Sequence, residues 1–152
     1  GVLLKGVLHE LNQQPYYRMP APTSLGNEAA RDMIFPHFYE SEHTPEDMLH
    51  TMVLHIADQV IAAVQQHPVE TEAPQMLVTG GGALNNFLVE RIRAALEPSK
   101  VTVVVPDTET VLYKEAIVMA LIGALRWREE VNVFSSVTGA SRDSSGGALW
   151  IP

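Results

Sequence analysis

The residues of this chain best suited to chemistry are the three glycines in Val78-Thr79-Gly80-Gly81-Gly82-Ala83-Leu84-Asn85-Asn86. A short run bounded by turn residues, Gln75 to Thr79, precedes them and reads as a buried strand; Phe87, Leu88, Ile92, Ala95 and Leu96 follow at helical spacing until Pro98. A glycine triplet between a strand and a helix lets backbone approach a ligand closely and aims free N–H groups at it, which suits a nucleotide. A tight α/β turn can also require glycine for positive φ alone, but three in succession favour a ligand over that simpler reading.

Other chemistries fit less well. In a dinucleotide fingerprint, Asp107 at the end of the next β-branched run, Val101 to Val105, would hold a ribose; yet the third glycine would fall at Asn85, and Pro106 intrudes before the acid. No eight-residue phosphate loop ending in Gly-Lys-Ser or Gly-Lys-Thr occurs. His50 and His55 are five apart and face different ways, which argues against a metal pair, whereas Asp47 and His50 are expected to meet on a solvated face. Glu115 heads an apolar helix after a loop that follows a strand, where α/β folds place ligand sites; a first-turn acid complementing the helix dipole explains it equally well.

Composition narrows the partners. The net charge is −8 and the ten Lys and Arg residues are scattered, so nothing offers a nucleic acid backbone a complementary surface. Any phosphate site must therefore work locally, through backbone N–H groups. Without cysteine there is no disulfide, no thiolate nucleophile and no sulfur-based metal site. No apolar run is long enough to cross a bilayer and no secretory signal opens the chain, so no membrane partner is expected and the cytoplasm is the default compartment.

The elements that must position these residues read as one α/β domain over 152 residues, whose 46% hydrophobic content can build a core. Leu3, Leu4, Val7, Leu8 and Leu11 predict a helix over 1–14, uncapped and so expected to belong to something longer. Pro15, Pro20 and Pro22 predict an irregular connector over 15–43. Thr44-Pro45-Glu46-Asp47 starts a helix over 45–66, with Met48, Met52, Val53, Ile56, Val60 and Val64 as its apolar stripe. Strand, helix and strand around the glycines predict a parallel crossover unit. Lys114 to Arg128 reads as a buried helix needing a covering layer, and the tail as a loop followed by an edge strand ending at Pro152. The sheet is thin.

Taken together, VTGGGALNNFLVERIRAAL, KEAIVMALIGAL, SVTGASRD and the upstream PYYRMPAPTSLGNE resemble, in order and spacing, the C-terminal part of the anhydro-N-acetylmuramic acid kinases. The resemblance implies the second half of a two-domain, ribonuclease H-like fold of the actin and hexokinase type, with ATP in the cleft between the halves. It implies nucleotide contacts at Gly80, Gly81, Gly82 and Asn85, and a place near the sugar pocket for Glu115. Thr138 and Gly139 match a tail motif without an assigned role. The family's glycine-rich phosphate motif and its general-base aspartate belong to the first half and have no match, so this chain alone is expected to be inactive. In the whole enzyme the base would activate water to open the 1,6-anhydro ring while O6 takes the γ-phosphoryl group, with Mg²⁺ neutralising charge, in the recycling of cell-wall sugars. The implied partners are ATP, an amino sugar and the chain's own N-terminal domain; a homodimer is compatible. Two other readings stay open: a stand-alone nucleotide-binding or regulatory module, and a dinucleotide-binding domain.

Overall fold

The computed structural model describes residues 1–20, 22–39, 42–69 and 71–150. Where the sequence reads as one domain, the backbone groups into two compact units, Gly1–Met19 with Leu25–Pro106 and Pro20–Ser24 with Asp107–Pro152.

The first unit begins with α1 (Lys5–Asn12), shorter than the predicted helix because Leu4 has non-helical backbone and supplies no capping side chain. The segment expected to be irregular carries a 3₁₀ turn at Pro15–Arg18, α2 (Asn27–Ile34) and α3 (Pro36–Tyr39). Pro15 and Pro36 sit at first helical positions, where the missing N–H has no intrahelical acceptor to lose, so they start helices there instead of preventing them. The predicted 45–66 helix is α4 (Pro45–Gln66), with the Thr44 Oγ1 accepting from the Asp47 N–H at 3.3 Å and two acids in the first turn.

β1 (Gln75–Leu77) and β2 (Thr102–Val104) pair in parallel, Met76 opposite Val103, and α5 (Asn86–Leu96) crosses between them. The strand–glycine turn–helix–strand order therefore closes as a crossover unit. Its core joins Val53 and Ala57 of α4 to Leu88, Val89, Ile92 and Leu96 of α5 and to Val103 of β2. Each large aliphatic side chain so buried contributes about 1.5–3 kcal/mol. Helical periodicity on both helices explains the pairing, but the packed faces differ from the predicted stripes: Val53, Val60 and Val64 enter this core together with Ala57 and Ile61, whereas Ile56 of α4 and Phe87 of α5 are exposed.

The second unit contains α6 (Thr108–Trp127) and α7 (Ser135–Thr138). The predicted buried helix starts six residues earlier than its apolar run, because Asp107 caps it, and it is not buried: Val111 alone is, while Leu112, Ile117, Met119 and Leu121 are exposed. Within its unit α6 is tied to the tail by hydrogen bonds from Asn132 Nδ2 to the Ile122 carbonyl (3.2 Å) and from Arg126 Nε to the Gly147 carbonyl (2.8 Å), which cover little of its surface. Composition makes the helix; burial needs a second layer, which these tail residues do not form. Of the expected closing strand, residues 148–150 form no strand, and Ile151 and Pro152 lie outside the described residues; upstream, an antiparallel bridge joins Val133 to Ser144. Among the described residues no helix is long and apolar enough to cross a membrane.

Candidate functional site

The backbone of the glycine turn requires glycine at only one of its three positions. Gly80 has φ 80° and ψ −174°, a region closed to residues with a side chain. Gly80→Ala is accordingly expected to cost about 1–3 kcal/mol, read as a shift in the urea midpoint. Gly81 and Gly82 are under no such demand. A Cβ added at Gly81 meets nothing within 4 Å, and one at Gly82 makes only an ordinary contact at 3.6 Å with Leu88. Neither backbone strain nor packing calls for glycine at these two positions.

They open the 3₁₀ turn Gly81–Leu84, whose bonds run from the Ala83 N–H to the Gly80 carbonyl (3.0 Å) and from the Asn85 N–H to the Gly82 carbonyl (3.1 Å). Among the described residues, the Gly81 and Gly82 N–H groups therefore have no acceptor. Immediately before them, Thr79 Oγ1 is buried and is likewise without a partner. A buried hydroxyl left unbonded costs about 1–3 kcal/mol, so a polar group brought against it would recover that loss. Sequence reading passed over Thr79; its signal was a hydroxyl residue directly before the triplet.

Asn85 is the N-cap of α5, its Oδ1 accepting from the Leu88 N–H at 3.1 Å. Asn85→Ala is expected to lose about 1 kcal/mol of stability, measurable by denaturant titration. Beside it a cavity of about 570 Å³ opens between α4 and α5, lined among others by His50, Phe87 and Arg91. The Arg91 guanidinium lies 5.3 Å from the Phe87 ring centre, and the His50 ring meets Phe87 edge-on at 5.5 Å.

The remaining candidates are engaged differently. Asp107 is spent on α6: its carboxylate accepts from the Thr110 N–H (2.9 Å) and from the Thr110 hydroxyl (2.7 Å). These bonds, the backbone one first, hold its pKa below the usual carboxylate value. A carboxylate already satisfied by its helix start is poorly placed to take a ribose, which removes the acid the dinucleotide pattern needs. Glu115 is exposed and belongs to the second unit, whereas the glycines belong to the first. Because α6 begins at Thr108, Glu115 stands two turns in, beyond reach of the dipole at its start. Asp47 and His50 do not pair: Asp47 Oδ1 accepts from the Val2 N–H, and His50 Nδ1 meets the Gly1 carbonyl at 2.7 Å. Among the described residues, no three His, Cys, Asp or Glu side chains gather as a metal site.

Fold and site together define an α/β protein built on a parallel strand–glycine turn–helix–strand unit, with unpaired backbone donors at the turn. The anhydro-N-acetylmuramic acid kinase family model matches residues 1–152. The chain is 30% identical over 155 residues to an anhydro-N-acetylmuramic acid kinase of Hydrogenovibrio crunogenus, covering 100% of this chain and 41% of that protein. A protein of the same name from Francisella tularensis subsp. novicida is 30% identical over 92% of the chain and 37% of its own length, and one from Haemophilus influenzae 28% over 99% and 42%. The chain belongs to the anhydro-N-acetylmuramic acid kinase family, and it spans about two fifths of the length of the curated relatives it matches.

Proposed function

We propose that this chain is the nucleotide-gripping part of an ATP-dependent sugar kinase, the second half of a ribonuclease H-like two-domain fold whose first half carries the reacting groups. The observation that carries the reading is the coincidence, at one turn, of two glycines that neither strain nor packing requires, their two unpaired N–H groups, and a buried unpaired hydroxyl on Thr79. Such a turn can donate to a phosphate or ribose oxygen without a cation, which an acidic chain of net charge −8 requires. Gly80 sets the direction of the turn, Gly81 and Gly82 donate, and Thr79 supplies the hydroxyl. Asn85 keeps its amide nitrogen for the ligand while its oxygen caps α5.

The substrate in the intact protein is anhydro-N-acetylmuramic acid, with Glu115 facing the sugar. Mg²⁺ arrives on the ATP phosphates and neutralises their charge. The general base and the phosphate motif come from the N-terminal domain, so the chain binds nucleotide but turns over no sugar. The setting is cytoplasmic recycling of cell-wall sugars.

Calorimetric titration of the chain with Mg-ATP and with NAD tests this reading. Binding of ATP with little or none of NAD is the expected result; binding of NAD alone would replace it with the dinucleotide reading, and the absence of both would remove the nucleotide site.

A further inference from the structure

Asn85 closes the glycine turn and also lines the cavity of about 570 Å³ between α4 and α5, so a molecule held at the turn has this space directly beside it. The volume is that of a small-molecule site. Its place follows from the topology. The first turns of α4 and α5 meet here, and α5 starts directly after the turn that ends β1. Ligands of α/β folds bind outside the carboxyl ends of the strands, which is this end of the crossover unit.

The lining decides what can enter. Its side chains include one carboxylate, Glu46, and one guanidinium, Arg91, so their charges balance and nothing there favours a polyphosphate. Leu49 and Phe87 add apolar wall. The Arg91 guanidinium lies over the Phe87 ring, 5.3 Å from its centre, and both groups are flat, delocalised and suited to stacking on a nucleobase. Neither is spent on the core: Phe87 is 40% exposed, and among the described residues Arg91 has no carboxylate partner. The His50 ring meets Phe87 edge-on at 5.5 Å, and its Nδ1 lies 2.7 Å from the Gly1 carbonyl, which can only accept. Nδ1 therefore carries a proton, and in the neutral ring Nε2 is an acceptor without a partner among the described residues. A purine with an exocyclic amino group suits this wall, since it offers two stacking faces, one donor and a few ring-nitrogen acceptors. A pyranose would bring a hydroxyl on nearly every carbon to a surface with few partners for them.

We propose that this cavity seats the purine base of the nucleotide, its ring stacked on the Phe87–Arg91 pair and its amino edge turned to His50. The inference rests on the nucleotide reading of the glycine turn and adds to it the residues that distinguish a nucleotide from a bare polyphosphate. The phosphates take the uncharged donors of Gly81 and Gly82; the base takes the stacked pair on the first turns of α5.

The test is calorimetric titration of the full 152-residue chain and two variants with Mg-ATP and with magnesium tripolyphosphate, which has the phosphate chain without a base. The native chain is expected to bind ATP at least about tenfold more tightly than tripolyphosphate. Phe87→Leu, at an exposed position, is expected to weaken ATP at least about fivefold and to leave tripolyphosphate unchanged. Arg91→Lys keeps the charge but not the planar fork and should show the same selective loss. In the ATP complex, nuclear Overhauser contacts from adenine H2 and H8 to the Phe87 ring protons are expected. Equal affinity for ATP and tripolyphosphate, equal losses of both in Phe87→Leu, native ATP affinity in that variant, or an ATP complex without those contacts would each overturn the base seat while leaving the phosphate turn in place. Failure of both ligands to bind would instead remove the nucleotide reading, and this inference with it.

Discussion

Gly81→Val is expected to lower the affinity for ATP at least about tenfold, equivalent to about 1.4 kcal/mol, while stability stays within about 0.5 kcal/mol of the native chain. The two halves of that expectation come from one fact. A Cβ at position 81 meets no atom within 4 Å apart from its chain neighbours, so folding is expected to tolerate a side chain there. The same space is where a nucleotide would approach the Gly81 and Gly82 N–H groups, so binding does not. Gly80→Val makes the contrast, because its backbone is confined to a glycine-only region and that variant should lose stability as well. Calorimetry with Mg-ATP beside urea unfolding reads both quantities. Native affinity in Gly81→Val would show that the glycine turn is not where the nucleotide binds.

Leu96→Ala is expected to cost about 2–5 kcal/mol, a large share of the roughly 5–15 kcal/mol that holds a domain of this size together. Leu96 is 0% exposed, at the last turn of α5, and belongs to the cluster that joins α4 and α5 to β2. Removing three carbons there leaves a cavity that two helices and a two-stranded sheet have few other side chains to fill. The loss should also weaken nucleotide binding, since the helix it anchors is the one whose start carries the glycine turn. A urea titration giving less than about 1 kcal/mol would mean that the core closes without this contact.

Much of the fold around the candidate site was legible because its signals are local. Thr44, Pro45, Glu46 and Asp47 announce a helix start from four neighbouring residues, and α4 begins there. Glycines between a β-branched or apolar run and a 3.6-residue stripe announce a strand, turn and helix, and the chain folds so at 75–96. What stayed hidden depends on partners remote in sequence. The Asp47–His50 pair suggested by spacing gave way to contacts with Val2 and Gly1, more than forty residues away along the chain. Thr79 stands out only once its hydroxyl is seen buried and unbonded. The pairing of Tyr17 with His55 could not be read from residues 38 apart.

The sequence by itself determined the family, the order of helices and strands around the glycine triplet, and the identity of the residues at the turn, because propensity, capping and periodicity act over a few residues. Only the tertiary structure decided which of those residues are spent on holding the fold. It assigned Asp107 to the start of α6 and the Asn85 oxygen to the start of α5, and among the described residues it left Gly81, Gly82 and Thr79 with polar groups unused. It also showed that the apolar face of α6 is exposed, since hydrophobic composition makes a helix apolar but burial requires a surface packed against it. A group is free to serve a ligand only when the fold has not already claimed it, and that claim is settled by contacts between distant residues.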